Sequence, residues 1–332
     1  MSDSPATAPP SASAPSTSVA AASVAAPASP QALLDPATLH GIASLDLRAR
    51  IVADALFAGG HRSRRFGSST EFAEHKVYTP GDDLRRLDWR VMGRLDKSYV
   101  RRTEDETRTD VVIVVDTSGS MAYAGGARGK ATHSKLDVAR TLAAATATIA
   151  LHQQDAPGVS LFAGHEHATL PPRGRTDTLA QLGDLLVHAE AKGTSALAST
   201  LDAVTGRLRK KAVVVVITDL IDAGPEALSA LSVLRRRGGE AIVLQVLHDD
   251  ELDFPFDGVV KFEDLEGDRE VQVDAPLVRK AYLDELAAFL RACEGACTAS
   301  DARYALVRTG ESVVGPLAIA LDGAQPSAGG RR

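Results

Sequence analysis

Hydrophobic patterning divides the chain into unequal parts. Residues Met1 to Pro30 are almost entirely Ala, Ser, Pro and Thr, with no apolar period. Such a stretch cannot bury enough apolar surface to offset its ordering entropy, which predicts a disordered tail over 1–34. Its first charge is Asp3, so it lacks the basic start of a secretory signal. From Pro36 to Phe57, Leu39, Ile42, Leu45, Ile51, Ala55 and Leu56 recur at roughly helical spacing. Asp35-Pro36 suits the cap and first turn of that helix, and Gly59-Gly60 stops it. A dense polar stretch follows to Arg102.

At Asp110 the pattern changes to short apolar runs alternating with helical periods. Val111 to Val115 and Ala212 to Ile217 are continuous apolar runs, as in strands buried on both faces. Further strands are predicted at Val159 to Phe162, Ala241 to Leu247 and Ala302 to Val307. Helices are predicted at Lys135 to Leu151, Thr178 to Ala189, Leu197 to Leu208, Pro225 to Arg237 and Pro276 to Ala292. This alternation predicts a three-layer α/β domain, a mostly parallel sheet flanked by helices, over 108–322. Two β-like runs around Glu266-Gly267-Asp268, between Val259 and Val273, predict an inserted β-hairpin. Residues 35–107 form an N-terminal extension packed on this domain, and 323–332 a flexible tail.

Composition adds exclusions. The 332 residues are 44% hydrophobic and 24% charged, an ordinary globular balance. No apolar run approaches the roughly 20 residues of a membrane span. Two cysteines, Cys293 and Cys297, exclude a disulfide scaffold and point to a reducing, cytoplasmic setting. Net charge is −6, but residues 61–102 alone carry +5, which leaves −11 on everything else. Arg62, Arg64 and Arg65 have no acid beside them and are the candidates for partner contact. Arg85, Arg86 and Arg94 are read as internal ion pairs with Asp82, Asp83 and Asp88, and Trp89 as a core anchor. Sparse aromatics argue against nucleic-acid binding.

The candidate chemistry lies at the ends of two buried strands. After Val115 the chain reads Asp116-Thr117-Ser118-Gly119-Ser120. Asp116, Ser118 and Ser120 can turn toward one point, and hard oxygen donors suit Mg²⁺ or Mn²⁺ better than zinc. The second strand ends in Thr218-Asp219, which can face Asp116 where the strand order reverses. Gly193-Thr194, before the helix starting near Leu197, offers a further hydroxyl, with Ser195 as the alternative. His165-Glu166-His167 lacks a third ligand at zinc spacing and is read as a solvated turn. Cys293 and Cys297 are read as free thiols.

Asp116-x-Ser118-x-Ser120, Thr194 and Asp219 together resemble the metal-ion-dependent adhesion site of von Willebrand factor A domains. That resemblance implies that these five residues hold one Mg²⁺ or Mn²⁺, with an open position taken by a partner's carboxylate. A second resemblance covers about residues 36 to 322. Glu71-Phe72, Tyr78-Thr79-Pro80-Gly81-Asp82-Asp83, Arg85, Asp88-Trp89, Arg94, Phe262-Glu263-Asp264-Leu265-Glu266 and Ala281-Tyr282 resemble the signature of the bacterial domain of unknown function 58 family. Its members are often encoded beside MoxR-type AAA+ ATPases, which implies such an ATPase, or a client protein it remodels, as partner. The resulting expectation is a metal-dependent protein-binding module rather than an enzyme. The chain has no Gly-x-x-x-x-Gly-Lys loop, so any ATPase activity comes from elsewhere. The competing readings are a metal-dependent phosphohydrolase using the same cluster and a nucleic-acid-binding protein. A phosphoryl-transfer aspartate at Asp116 would want a second Asp two residues on, where Ser118 stands.

Overall fold

The computed structural model describes residues 34–59, 74–77, 99–102, 108–126, 133–175, 177–208, 212–267 and 269–322. The tails, most of the basic stretch and Arg62, Arg64 and Arg65 lie outside the described residues.

The core is a six-stranded sheet in the order β10-β7-β6-β3-β4-β5. Its strands are β3 (Asp110–Asp116), β4 (Ala156–Ala163), β5 (His165–Leu170), β6 (Val213–Thr218), β7 (Glu240–Leu247) and β10 (Arg303–Arg308). Five run parallel, and β5 pairs antiparallel with β4 at one edge. The apolar runs of β3 and β6 form central strands because both their faces are covered. Val111, Ile113 and Val115 point to one face, Val112 and Val114 to the other, and each face has its own hydrophobic cluster.

The first face carries α2 (Leu45–Ala58), α3 (Lys135–His152), α4 (Thr178–Val187) and α9 (Val314–Asp322). Ser134 caps α3, accepting the Asp137 N–H at 3.1 Å. The alanines of α3 let it lie close on the sheet, with Ala139, Ala143, Ala147 and Ala150 fully buried. The second face carries α5 (Leu197–Arg207), a 3₁₀ turn at Pro225–Ala230 running into α6 (Leu231–Arg236), and the 25-residue α8 (Ala275–Ala299). Cys293 and Cys297 are free thiols buried under α8. Burying a Val, Leu or Ile contributes about 1.5–3 kcal/mol each, so the two clusters supply most of the driving force.

The predicted helix over Pro36 to Phe57 is two helices, α1 (Pro36–Gly41) and α2. Asp35 and Ser44 each supply an N-cap, and the second cap interrupts the period at Ile42–Ser44. Leu45, Ala49, Val52 and Leu56 of α2 join the core of the first face. The segment His165-Glu166-His167, expected as a turn, is the start of β5, because pairing with β4 satisfies its backbone. β1 (Glu74–Val77) and β2 (Tyr99–Arg102) pair antiparallel later in the extension. The hairpin is present as β8 (Val259–Glu263) and β9 (Glu270–Asp274), following the short helix α7 (Asp249–Asp253).

Candidate functional site

β3 hydrogen-bonds to β4 on one side and to β6 on the other. The strand order therefore reverses between β3 and β6, the place where open α/β sheets form a ligand crevice beyond the carboxyl ends of their strands. Asp116 ends β3, and Asp219 follows β6 directly. Both side chains are buried, at 0% and 1% exposure.

Asp116 is held by hydrogen bonds on both oxygens. Its Oδ1 accepts the Ser118 N–H at 2.9 Å. Its Oδ2 accepts the Thr218 hydroxyl at 2.7 Å and the Ser195 hydroxyl at 3.2 Å. Even so, burial first and the charge of Asp219 second push its pKa up to about 6. Ser118 and Ser120 place their hydroxyl oxygens 3.1 Å apart. Ser118 is buried and Ser120 half-buried.

Asp219 is tied to the opposite face of the crevice. Its Oδ2 lies 2.7 Å from Lys135 Nζ at the start of α3, and its Oδ1 accepts the Ile221 N–H at 3.1 Å. Lys135 also reaches Glu251 of α7 at 2.8 Å. Burial works against the ammonium, but the two carboxylates outweigh it and raise its pKa. Gln245 of β7 donates to the Asp219 carbonyl at 2.8 Å, and Tyr304 of β10 donates to Gln245 Oε1 at 2.8 Å. The next residue, Leu220, is fully buried with φ of 62°. Such a conformation costs a non-glycine residue about 1–2 kcal/mol, and here it follows the site's second carboxylate. Its N–H is satisfied by Thr218 Oγ1 at 3.1 Å.

The loop carrying Thr194 is laced to the Asp116 loop by backbone. Gly119 N–H donates to the Gly193 carbonyl and Lys192 N–H to the Thr117 carbonyl, each at 2.8 Å. Thr194 itself is exposed, and its carbonyl accepts from the Gly164 N–H. In this arrangement Ser195, not Thr194, touches Asp116 with its side chain. Ser195 was visible in the sequence only as the alternative to its neighbour.

The hairpin reaches the same crevice. Glu266 Oε1 accepts the Ser120 N–H at 3.1 Å. The Leu265 carbonyl presses on Gly119, where a Cβ would lie 2.3 Å from that oxygen. Asp222 faces Glu266, and their shared hydrogen bond, then burial, then the charges of Glu266, Asp219 and Asp116 push Asp222 up to about 7. Thr218, Lys135, Asp222 and Gln245 were not picked out by sequence reasoning. Thr218 and Asp222 had a signal, their closeness to Asp219 in sequence, whereas Lys135 and Gln245 had none.

Among the described residues, no three His, Cys, Asp or Glu side chains converge closely enough to hold a metal ion by themselves. The donor set is nevertheless one a hard cation fits. Asp116 and Asp219 are buried close to each other, with the Ser118 and Ser120 hydroxyls beside Asp116, and Asp222 and Glu266 add a further pair of acids nearby. Among the described residues the acids here outnumber the buried Lys135 ammonium, which is already engaged by Asp219 and Glu251.

Comparison with known proteins yields relatives without an assigned role. Uncharacterized protein Rv1480 of Mycobacterium tuberculosis and Uncharacterized protein Mb1516 of Mycobacterium bovis are each 27% identical over 271 residues, covering 78% of this chain and 83% of the relative. Among solved structures, the conserved hypothetical protein BatB from Bacteroides thetaiotaomicron gives a TM-score of 0.45 at 16% identity, covering 65% of this chain and 98% of that one. An aerotolerance-related membrane protein from Bacteroides fragilis gives 0.44 at 19%, covering 65% and 99%. At these scores the likeness carries no argument about fold or role. Among the described residues no helix is long and apolar enough to cross a membrane. The family pattern described as "Protein of unknown function DUF58" matches residues 74–289. That match spans well over half of the chain, which therefore belongs to the DUF58 family.

Proposed function

We propose that this protein is a metal-dependent protein-binding module whose crevice between β3 and β6 takes one Mg²⁺ or Mn²⁺. Asp116, Ser118, Ser120, Thr194 and Asp219 would hold the ion, as the likeness to the von Willebrand adhesion site implies. The bound ion would supply a hard Lewis-acid position able to accept a carboxylate from another protein. The observation that carries this reading is the buried Asp116 carboxylate. It is oriented by Thr218, Ser195 and Ser118, sits beside paired serine hydroxyls, and feels the charge of Asp219. Asp219 already has the Lys135 ammonium as its counter-charge, so the costly burial without a cation is that of Asp116.

The partner in this proposal is a MoxR-type AAA+ ATPase or a client it remodels, in a cytoplasmic setting, with Arg62, Arg64 and Arg65 adding contact. This half rests on the family resemblance alone. The test is co-purification of the tagged full-length chain with Mg²⁺ or with chelator, repeated with Asp116→Ala. Capture of a MoxR-type ATPase that needs the ion and fails in the variant is the expected result. Capture that survives both treatments overturns the proposal. Turnover of a phosphoester panel that is lost with Asp116→Ala would replace it with the phosphohydrolase reading.

A further inference from the structure

We propose that the β8–β9 hairpin is a built-in cover for this crevice, and that Glu266 at its tip stands where a partner's carboxylate would go. The inference rests on the cation-site reading above and adds a regulatory element to it.

Three contacts carry the argument: two join the hairpin tip to a loop more than 140 residues earlier in the chain, and one joins it to Asp222 after β6. Glu266 Oε1 accepts the Ser120 N–H at 3.1 Å, inside the Asp116-x-Ser118-x-Ser120 loop. The Leu265 carbonyl lies so close to Gly119 that only a residue without a Cβ fits beneath it. Glu266 also shares a hydrogen bond with the carboxyl of Asp222, in the loop after β6. The Glu266 carboxyl thus sits between the Ser120 N–H and Asp222, and an acid from another chain reaching this loop would have to displace it.

The way the hairpin is fastened suits a cover. Aromatic packing anchors the strands up to one pair from the turn: the Phe262 ring, opposite Val271, is 5.1 Å from Phe256 and 5.9 Å from Phe254. The tip is held by its own turn, in which Asp264 Oδ1 accepts the Glu266 N–H at 2.9 Å, and by the Ser120, Gly119 and Asp222 contacts. Leu265, beside Glu266, is half exposed at 50%. Among the described residues the two strands pair with each other alone, and an isolated two-stranded ribbon has little stability of its own. Lifting the 264–269 turn would break the Ser120, Gly119 and Asp222 contacts while the aromatic anchor stays in place, and would free the crevice for an acid from another chain.

The experiment uses the full-length protein, Mn²⁺ as the ion and acetate as the probe carboxylate. Mn²⁺ uptake is followed by the electron paramagnetic resonance of the free ion, and water on the bound ion by proton relaxation. Wild type is expected to take up Mn²⁺ with few exchanging waters. Glu266→Ala is expected to gain about one water per ion, consistent with an octahedral shell losing a protein oxygen. Acetate is expected to remove that gain in the variant and to change little in wild type. Glu266→Gln keeps the side chain's length and serves if the alanine variant loses its cooperative melt. Equal relaxation in wild type and variant, both with Mn²⁺ bound, overturns the cover and leaves the cation site standing. If wild type takes up no Mn²⁺, the cation-site reading falls. The cover is then decided by amide hydrogen exchange over residues 117–123 without metal. Faster exchange in Glu266→Ala supports a closed tip in wild type, and unchanged exchange overturns it.

Discussion

The Lys135 ammonium lies 2.7 Å from Asp219 Oδ2, and both side chains are 1% exposed. A charge on the first turn of α3 thus fixes the carboxylate at the end of the neighbouring strand and ties both to Glu251. Breaking a buried pair by removing one partner leaves the other charge uncompensated, at a cost of about 3–5 kcal/mol. Lys135→Met is expected to lose stability on that scale in denaturant unfolding, and Lys135→Met with Asp219→Asn to regain part of it. A single variant as stable as wild type would show that the pair contributes nothing net.

The raised carboxyls make stability depend on pH. Asp116 sits at about 6 and Asp222 at about 7 in the folded protein, against about 4 for an unperturbed aspartate. Between those values the folded state binds more protons than the unfolded one, so these groups lower stability as pH rises from about 4 to about 7. Other groups, such as His40 with its pKa lowered to about 4 by burial, act in the opposite sense. The informative quantity is therefore the stability of wild type minus that of Asp116→Asn, measured in chelator. It is expected to fall from pH 4 to 6, and Mg²⁺ at pH 7 is expected to restore wild type alone. A difference that stays flat with pH refutes the account.

Gly119 and Gly183 give opposite outcomes for the same substitution. A Cβ at Gly119 would meet the Leu265 carbonyl at 2.3 Å, whereas nothing lies within 4 Å of one at Gly183, inside α4. Gly119→Ala is expected to cost about 1–3 kcal/mol by overpacking, or to displace the hairpin tip. Gly183→Ala is expected to stabilise by up to about 1 kcal/mol through helix propensity. Thermal melts combined with protease cleavage in the 264–269 turn separate global loss from local opening.

Thr194 and Ser195 are expected to divide their roles. Ser195 donates to Asp116, so Ser195→Ala is expected to lower stability without metal by about 1 kcal/mol. Thr194 is exposed, so Thr194→Ala is expected to leave that stability unchanged and to weaken Mn²⁺ uptake only. Calorimetric titration of the two variants checks this. A Thr194 variant that binds Mn²⁺ like wild type removes that residue from the donor set.

The layered α/β arrangement was legible because β3 and β6 are unbroken apolar runs ending in Asp116 and Thr218-Asp219. The hairpin was legible from its turn residues. What could not be read is what depends on long-range packing. β5 was missed because its polar start gives no strand period and only pairing with β4 makes it extended. α9 was missed because Val314 to Asp322 is short and apolar, and helix and strand are then indistinguishable by period. Lys135 reads as an ordinary first-turn lysine, and only the α3–β6 contact turns it inward. Glu266 reads as a turn residue, because nothing local says that the hairpin folds back on Ser120.

The way the sheet is closed sets the smallest piece of this chain able to stand alone. The family match covers 74–289, but β10, which completes the sheet beside β7, begins at Arg303. The buried turn of α8 at Cys293 and Cys297, and the α2 residues packed into the first face, also fall outside the match. Cutting the chain at the family's limits would strip the β7 edge and bare apolar surface on both sides. A piece cut at 74–289 is therefore expected to expose the core surface that α2, α9 and β10 seal in the full chain.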